Sequence, residues 1–184
     1  MSDAPIVSVG FRVVVPFRNE KVRLILRISI IYNDTVKIQK IVQEFDSYLY
    51  GWKLQFEAVV IGGAALNLLG MVSRFTRDCD VLDPEIPAEI LIASREFAAK
   101  IRGEGGMLRD DWFNNGPESL KRTLPQTWQR NIQLLYAGKA LKLHTLGRAD
   151  LLKSKLFALC DRGTDRDDCL RLKPTREELI EALP

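Results

Sequence analysis

The apolar stretch Ala58–Val72 constrains the fold of this chain more than any other feature of the sequence. It runs for 15 residues and is interrupted at Gly62-Gly63 and at Gly70, whereas a membrane-spanning helix needs about 20 consecutive apolar residues. Its β-branched beginning and its glycines favour a buried strand, a tight turn and a short helix in succession. We therefore predict a strand at Phe56–Ile61 and a helix at Ala64–Leu69 that Gly70 ends.

Helix and strand patterns alternate on either side of this stretch. Before it, N-cap candidates at Asn33 to Thr35 and apolar residues at helical spacing predict an amphipathic helix that ends at Gly51. After it, we predict a strand at Asp78–Leu82 and a helix at Pro87–Ile101. This order predicts an α/β (α+β) fold, with a small mixed sheet, helices packed on it and a helical C-terminal part.

The remaining segments give further predictions. Residues 1–32 alternate like two strands, so we predict a β-hairpin extension there and one main domain over residues 33–184. In the second half we predict a loop at 115–127, which has two prolines, and then a hairpin of Ile132–Tyr136 and Ala140–His144. A helix at Leu151–Cys160 follows and is broken by Gly163. The chain is predicted to end with a short helix capped by Thr164 and a last helix that begins at the capping box Thr175–Glu178.

The composition fits one globular domain and argues against export and against a zinc site. The chain has 184 residues, with 27 Lys+Arg and 24 Asp+Glu, for a formal net charge of +3. There is no basic and apolar leader pattern and three cysteines cannot all pair, so we expect a cytoplasmic protein with no membrane segment. Cys79, Cys160 and Cys169 lack zinc-ligand spacing and are expected to be small buried hydrophobic residues. The single histidine, His144, is expected to be packed or hydrogen-bonded rather than a base.

Two short motifs carry the chemistry. Gly62-Gly63, between a buried strand and a helix, frees backbone N–H groups for close approach by phosphates. Asp78 and Asp80 lie two apart on a strand, so their carboxylates face one side and Cys79 faces the other. Two such carboxylates repel each other unless a cation lies between them, and Mg²⁺ held together with a triphosphate supplies that charge. The alternative is another α/β fold in which the glycines only permit a tight turn and the aspartates are solvated.

These motifs resemble the signature of the DNA polymerase β-like nucleotidyltransferase superfamily, which is an apolar strand, Gly-Gly or Gly-Ser, a helix, and Asp-x-Asp on the next strand. Within it, Arg74-x-Thr76-x-Asp78-x-Asp80 resembles bacterial proteins related to abortive-infection (AbiEii-type) toxins and minimal nucleotidyltransferases. The likeness covers about Ile38 to Leu179. It implies an Mg²⁺-dependent transfer of a nucleoside monophosphate from an NTP to a hydroxyl of RNA, such as tRNA, or of a protein.

The second half carries a later motif that is similar to one of the same family. A lysine and an arginine on one helix, Lys155 and Arg162, precede the pair Asp165-x-x-Asp168. Lys155 and Arg162 are seven residues apart and so lie near one face of the helix. We expect Lys155 to contact the triphosphate as a point charge, and Arg162 to form structural ion pairs with Asp165 or Asp168. The alternative is that both basic residues are exposed helix charges whose stems cover apolar neighbours. For Arg74 and Thr76, two roles stay open: contact with phosphate, or capping and orienting the Asp strand.

One departure from the superfamily pattern bears on activity. Active members usually add a third carboxylate from a later strand, and the strand predicted at 140–144 contains no acid. Either Asp150 or Asp111 reaches the site, or one metal suffices, or the protein no longer transfers nucleotides. We take Asp150 as the first candidate for a third catalytic carboxylate, beside Asp78 and Asp80. The alternative function is a non-catalytic binding protein of the same fold, acting as a toxin–antitoxin or regulatory partner.

Charge is unevenly distributed along the sequence. Residues 118–155 hold eight Lys/Arg against two acids, a local net charge of +6, so the remainder has a net charge of −3. Such a segment suits an RNA or nucleotide partner through attraction to phosphate. A solvated basic face is the alternative explanation.

Overall fold

The computed structural model describes residues 38–72, 76, 78–116, 118–163 and 165–182, and the predicted hairpin of residues 1–32 lies outside them. The helices are α1 (Ile38–Gly51), α2 (Gly62–Leu68), α3 (Ala88–Gly103), α4 (Glu118–Thr123), α5 (Arg148–Arg162), α6 (Arg166–Arg171) and α7 (Arg176–Ala182), with a 3₁₀ turn at Trp128–Asn131. The strands are β1 (Phe56–Ile61), β2 (Cys79–Asp83), β3 (Phe113–Asn115), β4 (Gln133–Ala137) and β5 (Leu141–Thr145).

The five strands form one mixed sheet in the order β3-β2-β1-β5-β4. The central strand β1 runs antiparallel to β2 and parallel to β5, β2 runs parallel to β3, and β4 and β5 form an antiparallel hairpin. The predicted mixed α+β architecture, with a helical C-terminal part, is confirmed. In the part of the chain that the structure describes, no helix has the length and apolarity needed to cross a membrane.

Both faces of the sheet are covered, and the alternation of β1 shows how. Phe56, Ala58 and Val60 belong to a core with the apolar face of α1, with α3 and with Trp112. Val59 and Ile61 belong to a second core, built with leucines of α2, α4 and α5. Because successive strand residues point to opposite faces, the second face is where β1 and β2 meet the C-terminal helices.

Helix α1 is held to the sheet by its apolar face and by one buried carboxylate. Its predicted core positions, Ile38, Ile41, Val42, Phe45 and Leu49, are all buried, which confirms the amphipathic pattern. Asp46, 6% exposed, accepts hydrogen bonds from the backbone N–H groups of three residues at the β4–β5 turn, Lys139, Ala140 and Leu141. Burial alone raises the pKa of Asp46, but these hydrogen bonds and one from Tyr136 lower it on balance. The carboxylate therefore stays ionised and fixes α1 against the hairpin.

The prediction of a loop at 115–127 is wrong in part. Glu118–Thr123 is helix α4, and Phe113–Asn115 is an edge strand that the sequence pattern did not indicate. A proline directly before the first turn favours a helix start, because its missing N–H would have no helical partner there. Leu120 and Leu124 lie four apart and are both buried, so tertiary packing stabilises this short helix.

The other predicted elements are confirmed, with differences at their ends. Helix α5 starts three residues earlier than predicted and ends at Gly163, which adopts φ +65° as a left-handed C-cap. The residue before α6 is Asp165, whereas the predicted cap Thr164 lies outside the described residues. The capping box is confirmed, because the Thr175 N–H donates to Glu178 and the Glu178 N–H donates to the Thr175 hydroxyl.

Candidate functional site

The glycine turn after β1 brings backbone close to a carboxylate. Gly62 is the first residue of α2 and adopts φ +75°, a left-handed conformation that strains any residue with a Cβ. A Cβ on Gly62 would lie 2.8 Å from the Asp80 Oδ2 atom. Glycine is therefore required here both by the turn and by the approach of Asp80.

Strand β2 presents Asp80 to the second face of the sheet. Its neighbours Cys79 and Val81 are buried in the first core, and burial together with the charge of Asp80 raises the pKa of the Cys79 thiol. Asp80 pairs in register with Ile61 on β1 and with Asn114 on β3. The Asn114 amide donates a hydrogen bond to Asp80 Oδ1 at 3.2 Å. The opposite orientation of Asp80 and Cys79 that the spacing predicts is found.

Asp78 lies one residue before β2. Its Oδ1 atom is buried and has no hydrogen-bond partner in the described structure, and Arg109 Nη1 lies 3.9 Å from it. The Thr76 hydroxyl donates to the backbone carbonyl of Asp78 at 3.2 Å. That contact favours the interpretation in which Thr76 orients the Asp strand. Arg74 lies outside the described residues.

A cavity of about 170 Å³, which we call the polar pocket, gathers residues from both halves of the chain. Gly62 and Asp80 come from the sheet side, and Lys155, Asp161 and Asp165 come from α5 and the turn after it. Ile61, Ser119, Leu120, Ser154, Phe157 and Ala158 complete its lining. Three carboxylates against one ammonium give this lining a formal net charge of −2, so a polyanion entering it needs cations with it.

Lys155 is buried and already bonded to carboxylates. Its side chain is 5% exposed, and its Nζ atom donates to Asp168 Oδ2 at 2.8 Å and to Asp165 Oδ1 at 3.4 Å. The interpretation of Lys155 as an exposed helix charge is therefore wrong. Asp165 and Asp168 form ion pairs with Lys155. The predicted ion pairs of Arg162 with Asp165 or Asp168 stay a prediction, because the side chain of Arg162 lies outside the described part of the structure.

The two candidates for a third carboxylate, Asp150 and Asp111, lie outside the polar pocket. Asp150 is 5% exposed in the first turn of α5 and is not among the polar-pocket residues. Asp111 is exposed and bonded to Arg109. Among the described residues, no three His, Cys, Asp or Glu side chains form a group that could hold a metal ion. The structure thus brings Asp80 together with Lys155 and Asp165, and does not bring Asp150 into a three-acid cluster with Asp78 and Asp80.

At least four of the eight basic residues in the segment 118–155 form ion pairs with acids from other parts of the chain. Lys121 bonds to Asp83, Arg148 to Glu178, and Lys155 to Asp165 and Asp168. The fourth pairing is on the sheet, where Glu57 accepts from Lys142 at 2.9 Å and lies 2.8 Å from His144 Nε2. Lys142 and His144 together lower the pKa of Glu57. His144 is thus hydrogen-bonded, as predicted, and outside the polar pocket.

The sequence from residue 36 to residue 173 matches the model of a protein family described as nucleotidyltransferase of unknown function (DUF6036). The chain belongs to this family. No curated protein and no solved structure gives a match. The matched range contains every residue that lines the polar pocket. DUF6036 membership confirms the predicted nucleotidyltransferase resemblance, while the finer likeness to AbiEii-type proteins stays a prediction.

The site of this DUF6036 protein has donor atoms that fit Mg²⁺. Mg²⁺ sites in phosphate-transferring proteins commonly use one or two carboxylates together with phosphate oxygens and water. Asp78 contributes a buried oxygen without a hydrogen bond, and Asp80 contributes a carboxylate beside the glycine turn. Of these two carboxylates, Asp80 lines the polar pocket and Asp78 does not; a site of this kind can use one or two carboxylates without a third acid.

Sequence reasoning missed three residues around Asp80. Asn114 is on an edge strand of three residues, too short to give a pattern. Asp161 and Phe157 lie on one face of α5 with Ser154 and Ala158, at spacings of three, four and seven residues. A helical projection could have grouped Asp161 and Phe157 with Ser154, while Lys155 lies at the edge of this face, and only the tertiary structure shows that the face meets the glycine turn.

Proposed function

We propose that this chain is a cytoplasmic, Mg²⁺-dependent nucleotidyltransferase that transfers a nucleoside monophosphate from an NTP to a hydroxyl group. The observation that carries this proposal is the polar pocket, where the glycine turn and Asp80 meet Lys155 and Asp165. Membership of a nucleotidyltransferase family supports the reaction class. All three cysteines are free thiols, which suits a reducing compartment.

The proposed roles follow from the position of each group. The backbone at Gly62 and Gly63 approaches the triphosphate, and Asp78 and Asp80 hold Mg²⁺, which when bound offsets the charge of the phosphates. Lys155 adds a fixed positive charge at the pocket wall, positioned by Asp168. Positioning and charge stabilisation account for most of the catalysis of phosphoryl transfer.

The reaction is a displacement at the α-phosphorus. The acceptor oxygen forms a bond to that atom while the bond to the β-phosphate oxygen breaks, and pyrophosphate leaves with the electron pair. The hydroxyl proton passes to one of the carboxylates lining the pocket or to water. Asp80 and Asp165 both line the pocket, so either can receive it.

The acceptor is proposed from the family resemblance to AbiEii-type proteins, which suggests tRNA or a protein side chain. The test is incubation with each α-labelled NTP and Mg²⁺, with total tRNA in one arm and protein alone in the other. Label on tRNA or on protein is expected, and it should disappear in EDTA and in Asp80→Asn. Asp110→Asn is the matched control, because Asp110 is exposed and bonded to Arg102 away from the pocket. Absence of label with all four NTPs on folded protein would refute transferase activity.

One observation favours a second candidate, a nucleotide-binding protein that acts as a toxin–antitoxin or regulatory partner without catalysis. The strand residue beside Asp80 is the neutral Asn114, and the described residues contain no three-acid metal group. The same experiment separates the two candidates when thermal unfolding is measured in parallel. A rise in Tm with Mg²⁺ and NTP but without label transfer would favour the binding protein.

A further inference from the structure

A second cavity lies directly beside the polar pocket. It has a volume of about 490 Å³ and shares Leu120, Ser154 and Phe157 with the polar pocket as a common wall. We call it the apolar pocket. Its remaining lining is Thr123, Leu124, Pro125, Lys153, Leu156, Cys160, Glu181 and Ala182. The two cavities thus lie side by side, one with a charged lining and the other with a mainly apolar lining.

We propose that the apolar pocket binds the nucleobase of the NTP whose phosphates occupy the polar pocket. This inference rests on the proposed function, and it names the part of the structure that recognises the base. A nucleotide has the same division as the two neighbouring cavities, with a polyanionic end joined through a sugar to a flat aromatic ring. The two cavities are adjacent, with three lining residues in common, and the proposal places one nucleotide across both.

The size and chemistry of the apolar pocket fit a base. Cavities that bind small molecules have volumes of about 300–1,000 Å³ and apolar walls with a few polar groups. Here Leu124, Pro125 and Leu156 provide apolar surface. The polar and charged residues of the lining are Thr123, Lys153, Ser154 and Glu181. Phe157 lines both cavities and is 41% exposed. Its ring is therefore accessible for stacking, the contact that proteins use for bases of any identity.

Cys160 gives a direct reporter for this pocket. It is the exposed one of the three cysteines, and it lines the apolar pocket. Cys79 and Cys169 are buried, and burial raises the pKa of both thiols. A thiol reagent such as iodoacetamide should therefore modify Cys160 first, because the thiolate is the reactive form. A base in the apolar pocket would slow this modification.

The test compares the rate of Cys160 alkylation in the full chain with Mg²⁺ alone, with Mg²⁺ and inorganic tripolyphosphate, and with Mg²⁺ and each NTP. Tripolyphosphate has no base and fills only the polar pocket. Both ligands should raise Tm, but only an NTP should slow alkylation, by about tenfold at saturation, since access follows the free fraction. Cys160→Ser identifies the modified residue by mass.

The outcomes are distinguishable. If tripolyphosphate and NTP both raise Tm and neither protects Cys160, the base lies elsewhere and this inference is wrong while the proposed function stands. If neither ligand raises Tm, the proposed function fails and the inference fails with it. If Cys160 is unreactive in the ligand-free protein but reacts in urea, another part of the chain or a second copy covers the pocket, which also overturns the inference.

A substitution tests the stacking contact independently. Phe157→Ala should weaken NTP binding about tenfold, as expected for loss of a base–aromatic stack, and should weaken tripolyphosphate binding much less, because Phe157 gives the polar pocket only apolar surface. Leu170→Ala is the matched control, because Leu170 is an exposed apolar residue outside both pockets. If Phe157→Ala lost equal affinity for both ligands, or less than twofold affinity for NTP, stacking of a base on this ring would be contradicted.

Discussion

Replacing Gly62 with alanine tests whether this glycine is needed for ligand binding at the site or only for the turn. Gly62 adopts φ +75°, and its Cβ would lie 2.8 Å from Asp80 Oδ2. Gly70 provides a matched control, because it adopts φ +73° and a Cβ there would have no neighbour within 4 Å. The two variants share the same backbone strain, so only Gly62→Ala disturbs the carboxylate.

The structure gives the magnitude of each effect. An alanine in the left-handed region costs about 1–2 kcal/mol, which lowers Tm by about 2–8 °C in a chain of this length. At Gly62 the contacted atom is the end of a side chain that can rotate away. This rotation gives up the hydrogen bond from Asn114, worth about 1 kcal/mol. We therefore expect the free energies of unfolding of the two variants to differ by about 1 kcal/mol or less.

The nucleotide affinities of Gly62→Ala and Gly70→Ala should differ far more than their free energies of unfolding. In Gly62→Ala the Asp80 carboxylate leaves its place beside the turn, and the new methyl group occupies the approach to the backbone. Thermal-shift titration with Mg²⁺ and NTP should show wild-type affinity for Gly70→Ala and an affinity at least tenfold weaker for Gly62→Ala, about 1.4 kcal/mol. Equal affinities would refute the role of the Gly62–Asp80 contact. A loss of more than about 4 kcal/mol of stability with intact binding would show that the glycine serves only the turn.

Three further substitutions test other parts of the structure. Asp78→Asn with Asp80→Asn should abolish the Mg²⁺-dependent part of the NTP-induced Tm shift, and an unchanged shift would remove both residues from the metal site. Lys155→Met removes the ammonium that contacts Asp168, whose side chain is 2% exposed. Urea unfolding should show that the free energy of unfolding falls by about 3–5 kcal/mol. A fall of less than about 1 kcal/mol would contradict a buried ion pair. Asp46→Ala removes the acceptor of three backbone N–H groups and should cost about 3 kcal/mol. Because the folded pKa of Asp46 is below its ordinary 3.8, its stabilisation is present above pH 3.8 and is lost as the pH falls through the folded value. In urea unfolding, Asp46→Ala should therefore not show this loss of stability at low pH. The same loss of stability in the variant as in the wild type would contradict the role of the Asp46 carboxylate.

The fold was predictable where one face of an element is buried along its whole length. The short apolar, β-branched run that ends at Gly62-Gly63 gave β1 at its observed bounds, and the helical spacing of Ile38 to Leu49 gave the buried face of α1. Both signals are local, because each lies within the element itself. The orientation of Asp80 follows from the alternation of side chains along a strand, once Cys79 is placed in the core.

The rest of the site depends on contacts between distant parts of the chain. Asp46 and Ala140 are 94 residues apart, and Asp80 and Asn114 are 34 apart, so no local pattern can pair them. Cys160 was predicted to be buried with the other cysteines and is exposed, because its position on α5 faces the apolar pocket rather than a core. Composition predicts how often a residue type is buried, and tertiary packing decides each case.

Under the proposed function, the polar pocket and the ion pair of Lys155 together determine how the nucleotide would bind. Lys155 is the one ammonium in the lining, and Asp165 and Asp168 already compensate it. The pocket therefore offers a triphosphate little uncompensated positive charge, and Asp80 and Asp161 repel it. Binding becomes favourable only when a divalent cation enters with the phosphates. Metal and nucleotide affinities are then coupled, each raising the other by the same factor. The apolar pocket is lined by one cation and one anion, Lys153 and Glu181, and so has no formal net charge. In the proposed arrangement it contacts only the base, so base recognition is expected to vary without altering the metal requirement.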